Sequence, residues 1–233
     1  MSLPLALRIA RRELRGGLRG FWVFLTCLAL GVAAIAGVGM VRSAIEAGLA
    51  DQGAVLLGGD AQVEFTYRFA RPEERAYLDG IATAVSEVVD FRSMAVAGEA
   101  RVLTQVKAVD GAYPLIGAVQ LQDDLPLDQA LAEQGAVMDP VLAAQMGLVA
   151  GDTFTLGTAE FTLRGLLLRE PDSATGGFAL APRTLVRLED LATSGLLAPG
   201  TLYDSEYRML LPAGTDLAAL QAATETALAD SGL

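Results

Sequence analysis

Histidine is absent from all 233 residues, and cysteine and lysine each occur once. Without histidine, imidazole-based general base catalysis and Cys/His zinc sites are excluded. Cys27 lies inside an apolar run, so no intramolecular disulfide forms and no cysteine nucleophile is present in the rest of the chain. The lone Lys107 falls in a predicted strand rather than at a helix start after a Gly-rich turn, so the chain has no phosphate-binding loop and does not hydrolyse ATP by that route. No Gly-x-Ser-x-Gly elbow occurs. Low-complexity tracts are missing too, and with 52% hydrophobic residues the chain is expected to fold.

What is present is one uncharged run, Phe21 to Val41, preceded by Arg8, Arg11, Arg12, Arg15 and Arg19 and closely followed only by Arg42. As a helix, this run reaches about 32 Å, enough for a hydrocarbon core of about 30 Å. Basic residues flanking a span resist translocation, which predicts a cytoplasmic N-terminus, residues 42–233 outside and residence in the plasma (inner) membrane. The exported segment carries 12 basic against 27 acidic residues, a formal charge of −15. So acidic a surface argues against nucleic acid as a partner. A cleaved signal peptide is the rival reading, because Ala34-Ile35-Ala36 has the small-x-small pattern. A lipid anchor at Cys27 is disfavoured by the preceding Thr26. Either rival exports the remainder.

At helical spacing, Leu3, Leu7, Ala10, Leu14, Leu18 and Phe21 share one face, and Arg8, Arg12, Arg15 and Arg19 gather on another. Residues 1–20 therefore read as a cytoplasmic amphipathic helix capped by Ser2 with Pro4 in its first turn, lying against membrane lipids, with Gly16, Gly17 and Gly20 as its elbow. A solvated basic leader that only fixes topology is the plainer alternative. Residues 21–41 form the transmembrane helix and 42–60 a helical stalk, ended by Gly58-Gly59 as a left-handed cap.

From Ala61 to Phe69 the period becomes two, which predicts a strand. Pro72 opens a helix with Leu78, Ile81 and Val85 on one face, and strands follow at 87–96 and 100–109, with Asp110-Gly111 as a turn. Pro126 and Asp139-Pro140 each start a short helix, the second ended by Gly147. A hairpin of Thr153–Leu156 and Phe161–Leu168 turns through Gly157-Thr158. Leu185–Leu191 reads as a short helix, Ser205–Leu211 as a strand, and Asp216–Ala229 as a helix that can bury Leu217, Leu220 and Leu228. The expected fold class is α+β: an extracytoplasmic domain of 61–120 and 203–233, with a small strand-rich subdomain, 121–202, inserted between its halves.

Asp123-Asp124 and Glu170-Pro171-Asp172 are the best carboxylate clusters, and both read as solvated loops, since two adjacent acids fall short of the six or more oxygens that calcium requires. Gly176-Gly177 reads as a flexible turn within an exposed 173–177 loop. No catalytic, cofactor-binding or metal residue is assigned, no cofactor is expected, and the chain is read as no enzyme. In the span, Gly31, Gly37, Gly39, Ala33, Ala34 and Ala36 leave little bulk, which favours packing against partner helices; small residues are also simply common in membrane helices.

Several stretches taken together resemble a known family. The leader and span, VKAVDGAYPL at 106–115, DPVLAAQMGLVAGDTFTLGTAEF at 139–161, REPDSATGGF at 169–178, and APRTL followed by SGLLAPGTLYDSEYRMLL are similar to FtsX-like, or MacB-type, ABC transporter permeases in their YbbP-like branch. The resemblance implies an amphipathic helix, a first membrane helix and a large extracytoplasmic domain, followed by three further membrane helices, with the unit duplicated in that branch. It implies as partners a separate ATPase subunit and the remaining permease helices, mechanical coupling of ATP hydrolysis to the exported domain, and lipid or lipoprotein cargo. On this reading the chain is an N-terminal portion of a permease. The alternative is a bitopic, membrane-anchored sensor or scaffold without a transport role.

Overall fold

A computed structural model describes residues 18–172, 181–192, 194–198 and 200–229, with the side chains of 18–20 and 43–56 left aside. The leader helix, Gly16-Gly17 and the 173–177 loop fall outside the described residues. Helix α1 (Leu18–Leu57) includes Gly20 and contains one apolar stretch long enough to cross a membrane, Phe21–Arg42, with mean hydropathy 2.3 and every side chain exposed. A Cβ at Gly31, Gly37 or Gly39 would find open space.

The remaining elements are β1 (Ala61–Thr66), α2 (Pro72–Ile81), β2 (Ala84–Ala97), β3 (Ala100–Val109), β4 (Gln120–Leu121), α3 (Leu127–Ala130), β5 (Gly135–Met138), α4 (Pro140–Met146), β6 (Thr153–Leu156), β7 (Ala159–Arg169), β8 (Arg183–Arg187), a 3₁₀ turn (Glu189–Leu191), β9 (Asp204–Leu210) and α5 (Leu217–Ala227). The domain is therefore α+β.

Six strands close on themselves. In order around the ring they are β2, β3, β8, β5, β7 and β6, and β6 returns to β2 through Ala95 and Val96. β3·β8 and β5·β7 run parallel and the other pairs antiparallel. Outside the ring, β9 pairs with the first half of β2, β1 pairs with β9, and β4 with β7. Both 61–120 and 121–202 thus supply strands to the ring.

Side chains alternate across a strand, so the register assigns each residue to a face. The inward face is apolar: Val89, Phe91, Val106, Ala108, Phe154, Phe161, Leu163 and Val186 pack together, with Leu142 and Met146 of α4 in the same cluster. Phe154 and Phe161 stack with ring centroids 6.0 Å apart. That face continues into Val63, Phe65, Tyr207 and Met209, covered by Leu78 of α2 and by Leu228. The opposite face carries a second cluster, Val88, Val109, Leu185 and Val137 beneath Tyr113, Leu121 and Leu131.

The expected helix starts hold. α2 has Pro72 at its start and Glu74 accepting from the Arg71 N–H; Asp139 caps α4, which Gly147 ends in the left-handed region; and Asp216 caps α5. Four readings are corrected. β1 stops at Thr66 because Tyr67 adopts φ 62, which turns its side chain out to solvent. Val85 belongs to β2, not to the helix before it. The stretch Leu185–Leu191 is strand β8 followed by a 3₁₀ turn: Thr184, Leu185 and Val186 are buried on both faces, as in a central strand, and such a run has no period to distinguish it from a buried helix. Leu217 is exposed and Leu220 only partly covered; of the three leucines only Leu228 is buried, with Thr224 beside it. β5, missed in the sequence, is likewise a short strand buried at every position.

Phe161→Ala empties the middle of the ring and should destabilise the domain by about 3–5 kcal/mol, read by chemical denaturation.

Candidate functional site: a buried ion network at the helix exit

On the outward face, cross-strand rows bring charge into the sheet. Gln62, Arg208 and Ser86 form one row across β1, β9 and β2. Glu64, Glu206 and Val88 form the next. Thr66, Asp204, Asp90 and Lys107 form a third that reaches β3.

Lys107 is 1% exposed, so its ammonium must find partners inside the protein. Its Nζ donates to Glu170 Oε2 at 3.1 Å and to Asp172 Oδ2 at 2.8 Å. Arg183 Nη1 donates to the same Glu170 oxygen at 2.8 Å, and Tyr113 OH donates to Asp172 Oδ1 at 2.8 Å. Arg208, 2% exposed, pairs through Nη1 with Asp172 Oδ2 and through Nη2 with Glu206 Oε2, the latter at 2.6 Å. Lys107, Arg183 and Arg208 thus face Glu170, Asp172 and Glu206. The Tyr113 ring lies 5.3 Å from Lys107 Nζ and 5.9 Å from the Arg208 guanidinium, which adds a cation–π contribution.

Burial shifts these groups. Desolvation pulls Lys107 down, opposed by the Glu170 and Asp90 charges. It raises the Tyr113 phenol, with the Glu170 charge acting in the same direction. Desolvation followed by the Asp90 charge pushes Glu206 up to about 7, while Lys107 pulls the other way. Glu64 is raised by desolvation and then by Asp204 and Asp90.

The end of α1 meets this network. Gly58 has φ 69, in the left-handed region that ends a helix, and a Cβ there would lie 3.1 Å from Arg208 Nη1 and 3.3 Å from Asp172 Cβ. At Gly59 a Cβ would come within 2.9 Å of the Met209 carbonyl oxygen, so only glycine permits this backbone approach. Asp60 then locks the exit: its N–H donates to Met209 O at 2.8 Å, and its Oδ2 accepts from Leu211 N at 2.8 Å. The carbonyl end of a helix carries partial negative charge, which favours the adjacent Arg208 cation.

The sequence singled out Glu170 and Asp172 as a solvated pair. The correction is large, since they are 4% and 1% exposed. They are drawn in because the buried Lys107 and Arg208, and the partly covered Arg183, require them. Asp123 and Asp124 do stand in solvent, apart from the network. Gly176-Gly177 lie outside the described residues. Sequence reasoning assigned no site role to Lys107, Tyr113, Arg183, Glu206 or Arg208; the usable signal was a lysine between Val106 and Ala108, and an arginine between Tyr207 and Met209, each inside an apolar strand. Among the described residues, no group of three or more Cys, Asp or Glu is placed to hold a metal ion. The arrangement sets oppositely charged groups, Arg208 and Asp172, beside the end of α1.

Residues 21–227 match the family model described as the MacB-like periplasmic core domain. The chain is 30% identical over 184 residues to the uncharacterized ABC transporter permease YbbP of Escherichia coli (strain K12), covering 78% of this chain and 22% of that protein. It therefore spans about a fifth of that relative's length. Among solved structures, the extracellular domain of the noncanonic ABC-type transporter YknZ from Gram-positive bacteria aligns with TM-score 0.48 at 13% identity, over 72% of this chain and 83% of that one. The periplasmic region of MacB from Actinobacillus actinomycetemcomitans aligns with TM-score 0.48 at 10% identity, over 76% and 86%.

Removing one member of a buried ion network strands the others. Lys107→Met should cost about 3–5 kcal/mol in denaturant unfolding. The pH dependence follows from Glu206: its value in the fold, about 7, lies above the ordinary 4.5, so the fold keeps a proton that the unfolded chain releases. Its contribution to stability is therefore full below about pH 4.5 and falls as pH rises to about 7; Glu206→Gln should make that slope shallower in denaturation measured across the range.

Proposed function

Since the chain belongs to the MacB-like periplasmic core domain family, we propose that it is the first membrane helix and extracytoplasmic domain of an ABC transporter permease, moved by ATP hydrolysis on a separate ATPase subunit. The observation that carries this reading is the end of α1. A helix containing a membrane-length apolar stretch terminates on Gly58, against Arg208 and Asp172, and is stitched to β9 through Asp60. A rigid element transmits displacement only where its end is held, and the ion network holds it.

The N-terminus is cytoplasmic and residues 42–233 extracytoplasmic, as the five leading arginines favour. The exposed span, with small residues at Gly31, Gly37 and Gly39, packs against further helices of the permease. Residues 121–202 are an insertion whose strands β5 to β8 complete the ring begun by β2 and β3. Lipid or lipoprotein is the cargo class, a reading that rests on the family resemblance alone.

The test is co-purification of the intact permease with an ABC ATPase encoded beside it. Stable association, with hydrolysis stimulated by the permease, is expected. An intact permease that binds no ATPase overturns the proposal and leaves a bitopic sensor or scaffold.

A further inference from the structure

Arg208 is shared between two acids that belong to different parts of the domain. Glu206 is its neighbour within β9, and Asp172 lies beside Gly58 at the end of α1. The other groups facing Glu206 set how firmly it can hold Arg208. Across β1 it stands directly opposite Glu64, and in the adjoining row Asp204 stands opposite Asp90 of β2. Like charges directly opposite each other destabilise a sheet, and here two such pairs adjoin on one face. The cations on that face are largely committed elsewhere: Lys107 of β3 to Glu170 and Asp172, and Arg183 of β8 to Glu170. Tyr113, from the loop after β3, donates its hydroxyl to Asp172.

Adding a proton is the simplest relief for four facing carboxylates, and Glu206 is the one whose loss of charge frees Arg208. We propose that Glu206 is a proton-operated latch on the helix exit: neutral Glu206 leaves the Arg208 charge to Asp172 and seats the helix end, whereas anionic Glu206 draws Arg208 back and loosens it. The value near 7 at Glu206, set first by burial and next by the Asp90 charge, puts the switch in the neutral range. The latch rests on the reading of the α1 end as a mechanical joint, and adds that the joint is stiffer in mild acid than above neutrality.

The experiment uses the full chain in lipid nanodiscs, with carboxyl-¹³C glutamate and amide hydrogen exchange at Gly58, Gly59 and Asp60, each rate divided by its intrinsic pH-dependent value. Glu206, assigned by comparison with Glu206→Gln, should titrate between about pH 6 and 8, and protection of the three amides should fall about tenfold across that range. In Glu206→Gln, protection should stay high and flat. Glu64→Gln, which keeps the Glu206–Arg208 pair but removes the opposing charge, should lower the Glu206 midpoint. A Glu206 midpoint near the ordinary 4.5, flat protection in the wild type, a slope that survives Glu206→Gln, or a midpoint unmoved by Glu64→Gln would each overturn the latch. These readouts are local to the helix exit, so they are independent of whether an ATPase binds.

Discussion

The structure turns on the need to neutralise a lysine that water cannot reach. Lys107 sits within β3, between the ring and its outer cover, and a buried ammonium without partners would cost several kcal/mol. Its partners Glu170 and Asp172 come from the chain leaving β7, so the lysine fixes where that chain goes. Those acids bring in Arg183 from β8 and Arg208 from β9. Segments distant in sequence are thereby registered to one another by charge. Such networks add little net stability over a well-packed apolar substitute, but an alternative arrangement of the segments would strand a charge. The network specifies one geometry.

The two faces of the sheet divide the work. The inward face, Val89 and Phe91 through Phe154, Phe161 and Val186, is mostly apolar, with the buried Thr104 and Thr184 hydroxyls paired to each other, and closes the ring into a body that resists deformation. The outward face carries the charges, and it is there that α1 ends. Glycine at 58 and 59 allows the approach, one by its left-handed turn and one by the absence of a Cβ against Met209. In the proposed latch the same charges also tune the attachment of α1, because burial and the neighbouring carboxylates oppose ionisation of Glu206.

Much of the fold could be read from residue pattern. The alternation of Val63 and Phe65, the helix starts at Pro72, Asp139 and Asp216, and the glycines ending α1 and α4 are local signals with local causes. What escaped was set by tertiary context. β5 and β8 are central strands buried on both sides, so their sequences have no period to read. Tyr67 fits the strand alternation in sequence, yet its backbone turns there. The site was the least legible part. Glu170 and Asp172 look like any acidic turn beside a proline, and their burial follows from Lys107, Arg183 and Arg208, which other strands of the sheet bring to them. A charged residue inside an apolar strand was the available clue, and it implies a partner without naming it.

We propose that the Arg208–Asp172 pair seats the end of α1. A double-mutant cycle of Arg208→Met and Asp172→Leu, read through exchange protection of the Asp60 amide, tests it most directly. Each single replacement should lower protection strongly, and the double should lose much less than the sum, giving a coupling of about 1–3 kcal/mol. Additive losses, or an Asp60 amide indifferent to both replacements, would contradict it.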